Sequence, residues 1–405
     1  MQRSDSNDGE LNNLKQFWSL EAIGITPRVD RQLTPDERLA VNKVKETMRF
    51  TGERYEVAVP WKHDRPNLES NRQMAEKRLR SVERKLMQDE SLAQAYQSVI
   101  DDYIEKGYIR EVPKVEPKPA SEWFLPHFPV VRPEKSTTKV RIVFDGSAQQ
   151  DGKSLNTESL PGPKLQSDIV DILVKFRKES FALVGDVSQM YHQLILRPDD
   201  RPLHRFLYRN LDCDDSPRVY EFQRFIFGGC YCPFCVQYVW QKHAELNMEM
   251  YPLTARAVLE HCYMDDLMPS APTVGEAKET RKQLTELGDK AGFHIRKWLS
   301  NDVDVIADIR EEDRASEIDL EKGELPTTKT LSVLWSAADD KFFFRHSLPL
   351  DGFEFTKRNV LKKTAAVYEP LGFLSPYVIR SKLLIQKAWL EAGAWDDLLP
   401  KHHQQ

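Results

Sequence analysis

The stretch "HCYMDDLM", residues 261–268, places two adjacent aspartates inside an apolar run, and its reading decides the fold. Tandem aspartates are common here: pairs occur at 101–102, 199–200, 214–215, 265–266, 339–340 and 396–397. The other five lie in polar turn-like or charged helix-like settings, where a carboxylate is simply solvated. Only Asp265 and Asp266 are flanked by Cys262, Tyr263 and Met264 on one side and Leu267 and Met268 on the other. Two ionised carboxylates pressed together beside apolar side chains repel each other and lose hydration unless a cation or protons compensate.

Working outward, "FALVGDV" (181–187) reads as a buried strand and "LEHCYMDDLMPSA" (259–271) as strand, turn and strand. Between them come the strand-like "HQLILR", "HRFLYR" and "VYEFQRFIFG", then a helix opening at Pro233, where proline suits the first turn. "GEAKETRKQLTELGDKAG" reads as a helix ended by Gly292 and "FHIRKWLS" as a further strand. This order fits the split βαβ plan, in which the first and third strands lie side by side. Asp186, at the end of the first strand, then meets Asp265 and Asp266 at the hairpin tip. Three carboxylates gathered at one sheet end are stable if they share divalent cations, and hard oxygen ligands favour magnesium.

Upstream, residues 1–65 read as a polar lead-in or linker. Residues 66–110 read as a helical segment, with apolar side chains at helical spacing from about Asn71 to a stop at Gly107. "FLPHFPVVRP" and "KVRIVFDGSA" predict a hairpin, and Ser167 to Lys178 a helix. Residues 302–324 carry ten acidic and three basic side chains and read as part of an acidic linker over 301–325. Residues 354–388 hold seven basic against two acidic side chains, and Arg132, Lys135, Lys139 and Arg141 cluster around Glu134. Such patches suit phosphate, although each alone fits a solvated face equally well.

The 405-residue chain is 40% apolar, 30% charged and has a formal net charge of −5, so it is long enough for two or three globular domains. It lacks any apolar run of membrane-spanning length, and its N-terminus shows no apolar signal core, so the expectation is an intracellular, cytoplasmic protein without membrane contact. Five cysteines in such a chain argue for reduced thiols. Cys230, Cys232 and Cys235 in "CYCPFC" admit a zinc reading, weakened by the lack of a second ligand pair.

"YMDD" after an apolar strand resembles the active-site hairpin of reverse transcriptases, and "FALVGDVSQMYHQLIL" is similar to their first catalytic strand. More closely, the chain resembles the Pol polyprotein of BEL/Pao long-terminal-repeat retrotransposons through "LKQFWSLEAIGI", "WFLPHFPVVRP", "KVRIVFDGSA", "KSLNTESLPGP", "FIFGGCYCPF", "GFHIRKWLSN" and "YEPLGFLSPYVIRSKLLIQKAWL". The resemblance implies an α+β right-hand polymerase: fingers and palm over 111–300, the palm a split βαβ antiparallel sheet, and a helical thumb or connection over 326–400, preceded by the helical lead-in.

The implied activity is RNA-directed DNA polymerisation, a nucleotidyl transfer from dNTP to a primer 3′ hydroxyl with two Mg²⁺ ions, Mn²⁺ being a substitute. The resemblance assigns Asp186, Asp265 and Asp266 as catalytic and metal-binding, with Val187 lending a backbone carbonyl. It places Tyr191 against the ribose 2′ position, Arg141 and Lys135 on base and phosphate, Gly228 and Phe227 beneath the nucleotide, and Lys297 near the triphosphate. RNA and DNA primer-templates and dNTPs are the implied partners. Further Pol domains (protease, RNase H, integrase) are expected outside this chain, and an active element implies association with virus-like particles. Departures are Phe227 where retroviral enzymes carry glutamine and Ser332 in "TLSVLW" where a glycine is usual. The alternative is a decayed or domesticated copy that binds nucleic acid without catalysis.

Overall fold

A computed structural model describes residues 32–131, 140–212, 214–320, 323–344, 353–391, 393–400 and 402. Among these residues the architecture is mixed: helices packed around several small, mostly antiparallel sheets.

Helix α1 (Pro35–Thr47) starts at a capping box, in which the Thr34 hydroxyl accepts from the Glu37 N–H and the Glu37 carboxylate accepts from the Thr34 N–H. Ala40 and Val44 on its inner face are buried. Strands β1 (Arg49–Phe50) and β2 (Tyr55–Val57) follow, and Tyr55, Val57, Val59 and Trp61 join the main core. The lead-in reading therefore fails over residues 32–65. Their widely spaced apolar side chains find partners only in the tertiary structure, where β2 pairs in parallel with β7 (Ile195–Leu196).

The expected helical segment is two helices, α2 (Arg72–Leu86) and α3 (Glu90–Glu105). Asp89 breaks the run: its carboxylate accepts from the Leu92 N–H and caps α3. Strand β3 (Ile109–Glu111) leads on to the predicted hairpin, β4 (His127–Val131) with β5 (Val140–Phe144); the turn between them lies outside the described residues.

Helix α4 (Ile169–Phe176) precedes the central strand β6 (Phe181–Val187). After β8 (Arg205–Tyr208) and β9 (Arg218–Phe222), which form a separate sheet with β3, the chain runs through α5 (Cys232–Leu246) and α6 (Pro252–Glu260). The short strands β10 (Cys262–Tyr263), β11 (Asp266–Leu267) and β12 (Ser270–Ala271) come next, then α7 (Val274–Lys290) and β13 (Ile295–Ser300). Within the central sheet the order is β13–β6–β11–β10, antiparallel throughout, with β12 continuing the β11 edge of β6.

Side-chain alternation gives β6 two faces. Val187 faces the main core, whereas Ala182 and Val184 join a second core with Ile172, Leu173 and Phe176 of α4 and with Trp335. Asp186 has the same parity as Ala182 and Val184, at the open end of that face. Gly185 is required by packing: a Cβ there would sit 2.9 Å from the Trp298 ring of β13.

The acidic segment is not a linker. Val305, Ile306 and Ile309 are buried, Arg281 pairs with Asp308 at 2.6 Å, and His294 Nε2 lies 2.7 Å from an Asp313 carboxylate oxygen. Asp308 and Asp313 find partners earlier in the chain, which composition alone does not reveal. Beyond it, β14 (Thr327–Thr330), β15 (Val333–Ser336) and β16 (Lys341–Phe343) form a meander. Helices α8 (Lys357–Ala365) and α9 (Ser375–Glu391) then enclose a small core of Val360, Ala388 and Leu399. Among the described residues, no helix is long and apolar enough to cross a membrane.

Candidate active site

The strand register brings the aspartates together. Asp266 is the Cα partner of Asp186, and the Val187 N–H donates to the Asp265 carbonyl oxygen at 2.8 Å. Only Met264 and Asp265 connect β10 to β11, whose end pair is Tyr263 with Asp266. Met264 has φ +55° and Asp265 does not share that sign, the pattern of a hairpin turn whose first loop position favours glycine.

A methionine in that conformation is strained by roughly 1–3 kcal/mol. It is held there by three donors: Gln237 Nε2 and Cys262 Sγ reach the Met264 carbonyl at 3.0 Å and 3.2 Å, and Gln166 Nε2 reaches the Met264 sulfur at 2.7 Å. Sequence reasoning missed Gln166 and Gln237, whose roles depend on a contact with the turn that neither local sequence suggests.

Asp265 keeps solvent access at the hairpin tip, yet the protein crowded around it and the neighbouring Asp186 carboxylate raise its carboxyl above the ordinary aspartate value. Lys297 and Arg141 act in the opposite sense. Lys297 Nζ lies 2.5 Å from Asp186 Oδ2. It is aimed there by a bulge in β13: Arg296 pairs with Asp186 and Leu299 with Val184, so one residue is extra, and Lys297 has φ +56°.

Tyr191, on a 3₁₀ turn after β6, packs edge-on against the half-exposed Phe227 with ring centroids 4.6 Å apart. Burial pushes its hydroxyl well up, with smaller contributions from Cys232 and Asp265. Arg141 projects from β5 and is exposed. The sequence-selected Asp186, Val187, Asp265, Asp266, Lys297, Arg141, Tyr191 and Phe227 are thus linked through shared strands, ring contact or mutual electrostatics. Lys135 lies outside the described residues.

Gly228 is constrained by the fold itself. Its φ is +134°, and a Cβ would sit 2.1 Å from the Phe144 carbonyl oxygen, so the protein's own backbone excludes a side chain. Asn156, another residue missed in the sequence, locks this approach. Its Nδ2 donates to the Gly228 carbonyl at 3.0 Å and Ser147 Oγ at 2.8 Å, and its Oδ1 accepts from the Cys230 N–H at 2.8 Å. Cys232 and Cys235 are fully buried free thiols, and burial raises both, which disfavours the thiolates a zinc site needs.

Residues 356–405 match the family model of the Pao retrotransposon-like RNaseH-like domain. The match supports a BEL/Pao retrotransposon Pol protein. It falls on α8, α9 and the residues after them, outside the central sheet. It puts RNaseH-like family similarity on residues that the sequence resemblance assigns to a thumb or connection. No curated protein matches the chain.

Proposed function

We propose that this Pol protein is an RNA-directed DNA polymerase whose active site is formed by Asp186, Asp265 and Asp266 on a right-hand palm. The observation that carries the reading is the pairing of Asp186 with Asp266 in register, with Asp265 at the tip between them. The Pao match adds nucleic acid as the partner class.

The residues suit magnesium by donor type. They are hard carboxylate oxygens, and Asp265, raised first by the protein crowded around it and then by the Asp186 carboxylate, is a group whose charge a divalent cation would stabilise. Among the described residues no group of three ligating side chains is already assembled, and Lys297 holds one oxygen of Asp186. Asp186 and Asp265, with Asp266 beside them, would hold the ions. Bound magnesium supplies acidification of a hydroxyl and stabilisation of charge in an in-line phosphoryl displacement.

The chain's own residues do the remaining work. Arg141 offers a planar guanidinium for base stacking and phosphate. Tyr191, braced by Phe227, walls the space beside Asp265 and excludes a ribose 2′ hydroxyl. The Met264 grip fixes Asp265 against the strand carrying Asp186.

The test is Mg²⁺-dependent dNTP addition to a primed RNA template. Extension by the wild type and its loss in Asp265→Asn support the reading; extension that survives in the variant removes the metal assignment. A second reading, a copy that binds primer-template without polymerising, is favoured by the Lys297 ammonium on Asp186. It predicts salt-sensitive binding with no incorporation under any divalent ion.

A further inference from the structure

We propose that Lys297 is a built-in counter-ion that occupies Asp186 while no divalent cation is bound and gives up that carboxylate when one enters. The inference rests on the reading of Asp186 and Asp265 as metal-holding carboxylates, and adds to it a competitor carried by the chain itself.

The bulge shows that this contact is imposed. A regular β13 would run from Arg296 to its next partner without an extra residue, whereas here Lys297 is inserted in a left-handed conformation that a non-glycine residue rarely adopts. Ile295, Trp298 and Leu299 around it are buried to 1% exposure or less. Trp298 packs over Gly185, where even a methyl group would clash. The backbone on both sides is therefore fixed, and the lysine's direction is set by the packing of its neighbours.

The side chain itself is free to leave. Lys297 is 48% exposed while Asp186 is 18% exposed, so the ammonium approaches the carboxylate from the solvent side. A partly exposed ion pair of this kind is weak. A divalent ion satisfies several oxygens at once, so the flexible lysine stem swings to water as the ion arrives.

The experiment titrates MnCl₂ calorimetrically into the whole protein, without nucleic acid, for the wild type, Lys297→Met, Lys297→Arg, Asp186→Asn and the Asp186→Asn/Lys297→Met double variant. Losing the competitor tightens Mn²⁺ binding about tenfold in Lys297→Met, whereas Lys297→Arg stays within about threefold of wild type. In the Asp186→Asn background, Lys297→Met leaves the melting temperature in EDTA unchanged, because the pair is already broken. In EDTA, Lys297→Met melts below the wild type, and saturating Mn²⁺ closes the gap.

Unchanged or weaker Mn²⁺ affinity in Lys297→Met overturns the counter-ion role while leaving the metal reading intact. So does a melting gap in EDTA that persists without Asp186, which would be an effect of the lysine unrelated to the pair. A melting gap that is the same with and without Mn²⁺ likewise overturns it, since that is a purely structural contribution. If neither wild type nor Lys297→Met takes up Mn²⁺, the metal reading falls and the counter-ion role falls with it.

Discussion

Gly228 and Phe144 meet so closely that the space for a side chain at 228 is filled by the Phe144 carbonyl oxygen, 2.1 Å from where a Cβ would lie. This contact locks the end of β5, the strand that carries Arg141, to the loop that carries Phe227. Gly228→Ala therefore meets both a positive φ and a backbone clash. It is expected to destabilise the protein by about 2–4 kcal/mol, measured by urea denaturation. A midpoint equal to wild type would show that the loop can move away without cost.

Ser332 presents the opposite case. The two-residue turn between β14 and β15 has φ +45° at Leu331 and +68° at Ser332, a geometry that favours glycine at the second position. Ser332→Gly removes strain and raises stability by about 0.5–1 kcal/mol in the same assay. A loss of stability would mean that the serine side chain makes a contribution larger than the strain.

Tyr191 and Phe227 pack ring against ring, and Asp265 is near enough to act on the tyrosine hydroxyl. Tyr191→Ala opens this packing, and discrimination between deoxyribonucleotides and ribonucleotides in primer extension should fall at least about tenfold. Phe227→Ala, which removes only the brace, should give a smaller drop in the same direction. Unchanged sugar selectivity in Tyr191→Ala removes that residue from its assigned role.

Acid should destabilise the fold before the carboxylates titrate. Burial pushes His127, His192 and His204 down to about 4 from an ordinary value of 6.5. Above pH 6.5 both folded and unfolded chains hold these rings neutral, and stability is complete. As pH falls toward 4 the unfolded chain binds more protons, so stability drops, by about 2 kcal/mol per histidine at pH 5. Urea midpoints at pH 7.5 and pH 5 measure this, and His127→Gln should reduce the difference. Identical midpoints would contradict the burial of neutral rings.

The sequence-legible features are those set by local pattern. The apolar run from Phe181 predicts a strand because β-branched and small apolar residues fit a sheet buried on both faces. Asp265 and Asp266 stand out because apolar neighbours make their charge expensive. The proline at 233 marks a helix start to within one residue. What stayed hidden depends on contacts across the fold. The bulge at Lys297 goes with the packing of Trp298 over Gly185, and the Met264 grip needs Gln166 and Gln237, which are distant in sequence. Ala40, Val44 and Tyr55 look like scattered residues in a polar region until the fold gathers them into the main core, where Tyr55 meets His243 of α5. The acids after Asp302 resemble a solvated run because their partners Arg281 and His294 lie on earlier elements.

The catalytic role of Asp186 is read from single-nucleotide incorporation: a saturating primed RNA template, one templated dNTP and Mg²⁺, followed at single turnover for the wild type and Asp186→Asn. Asp186 acting as a metal-holding carboxylate gives incorporation by the wild type and a loss of at least about 10³-fold in the variant, with primer-template affinity within about threefold. Incorporation by Asp186→Asn at a rate near wild type would contradict it.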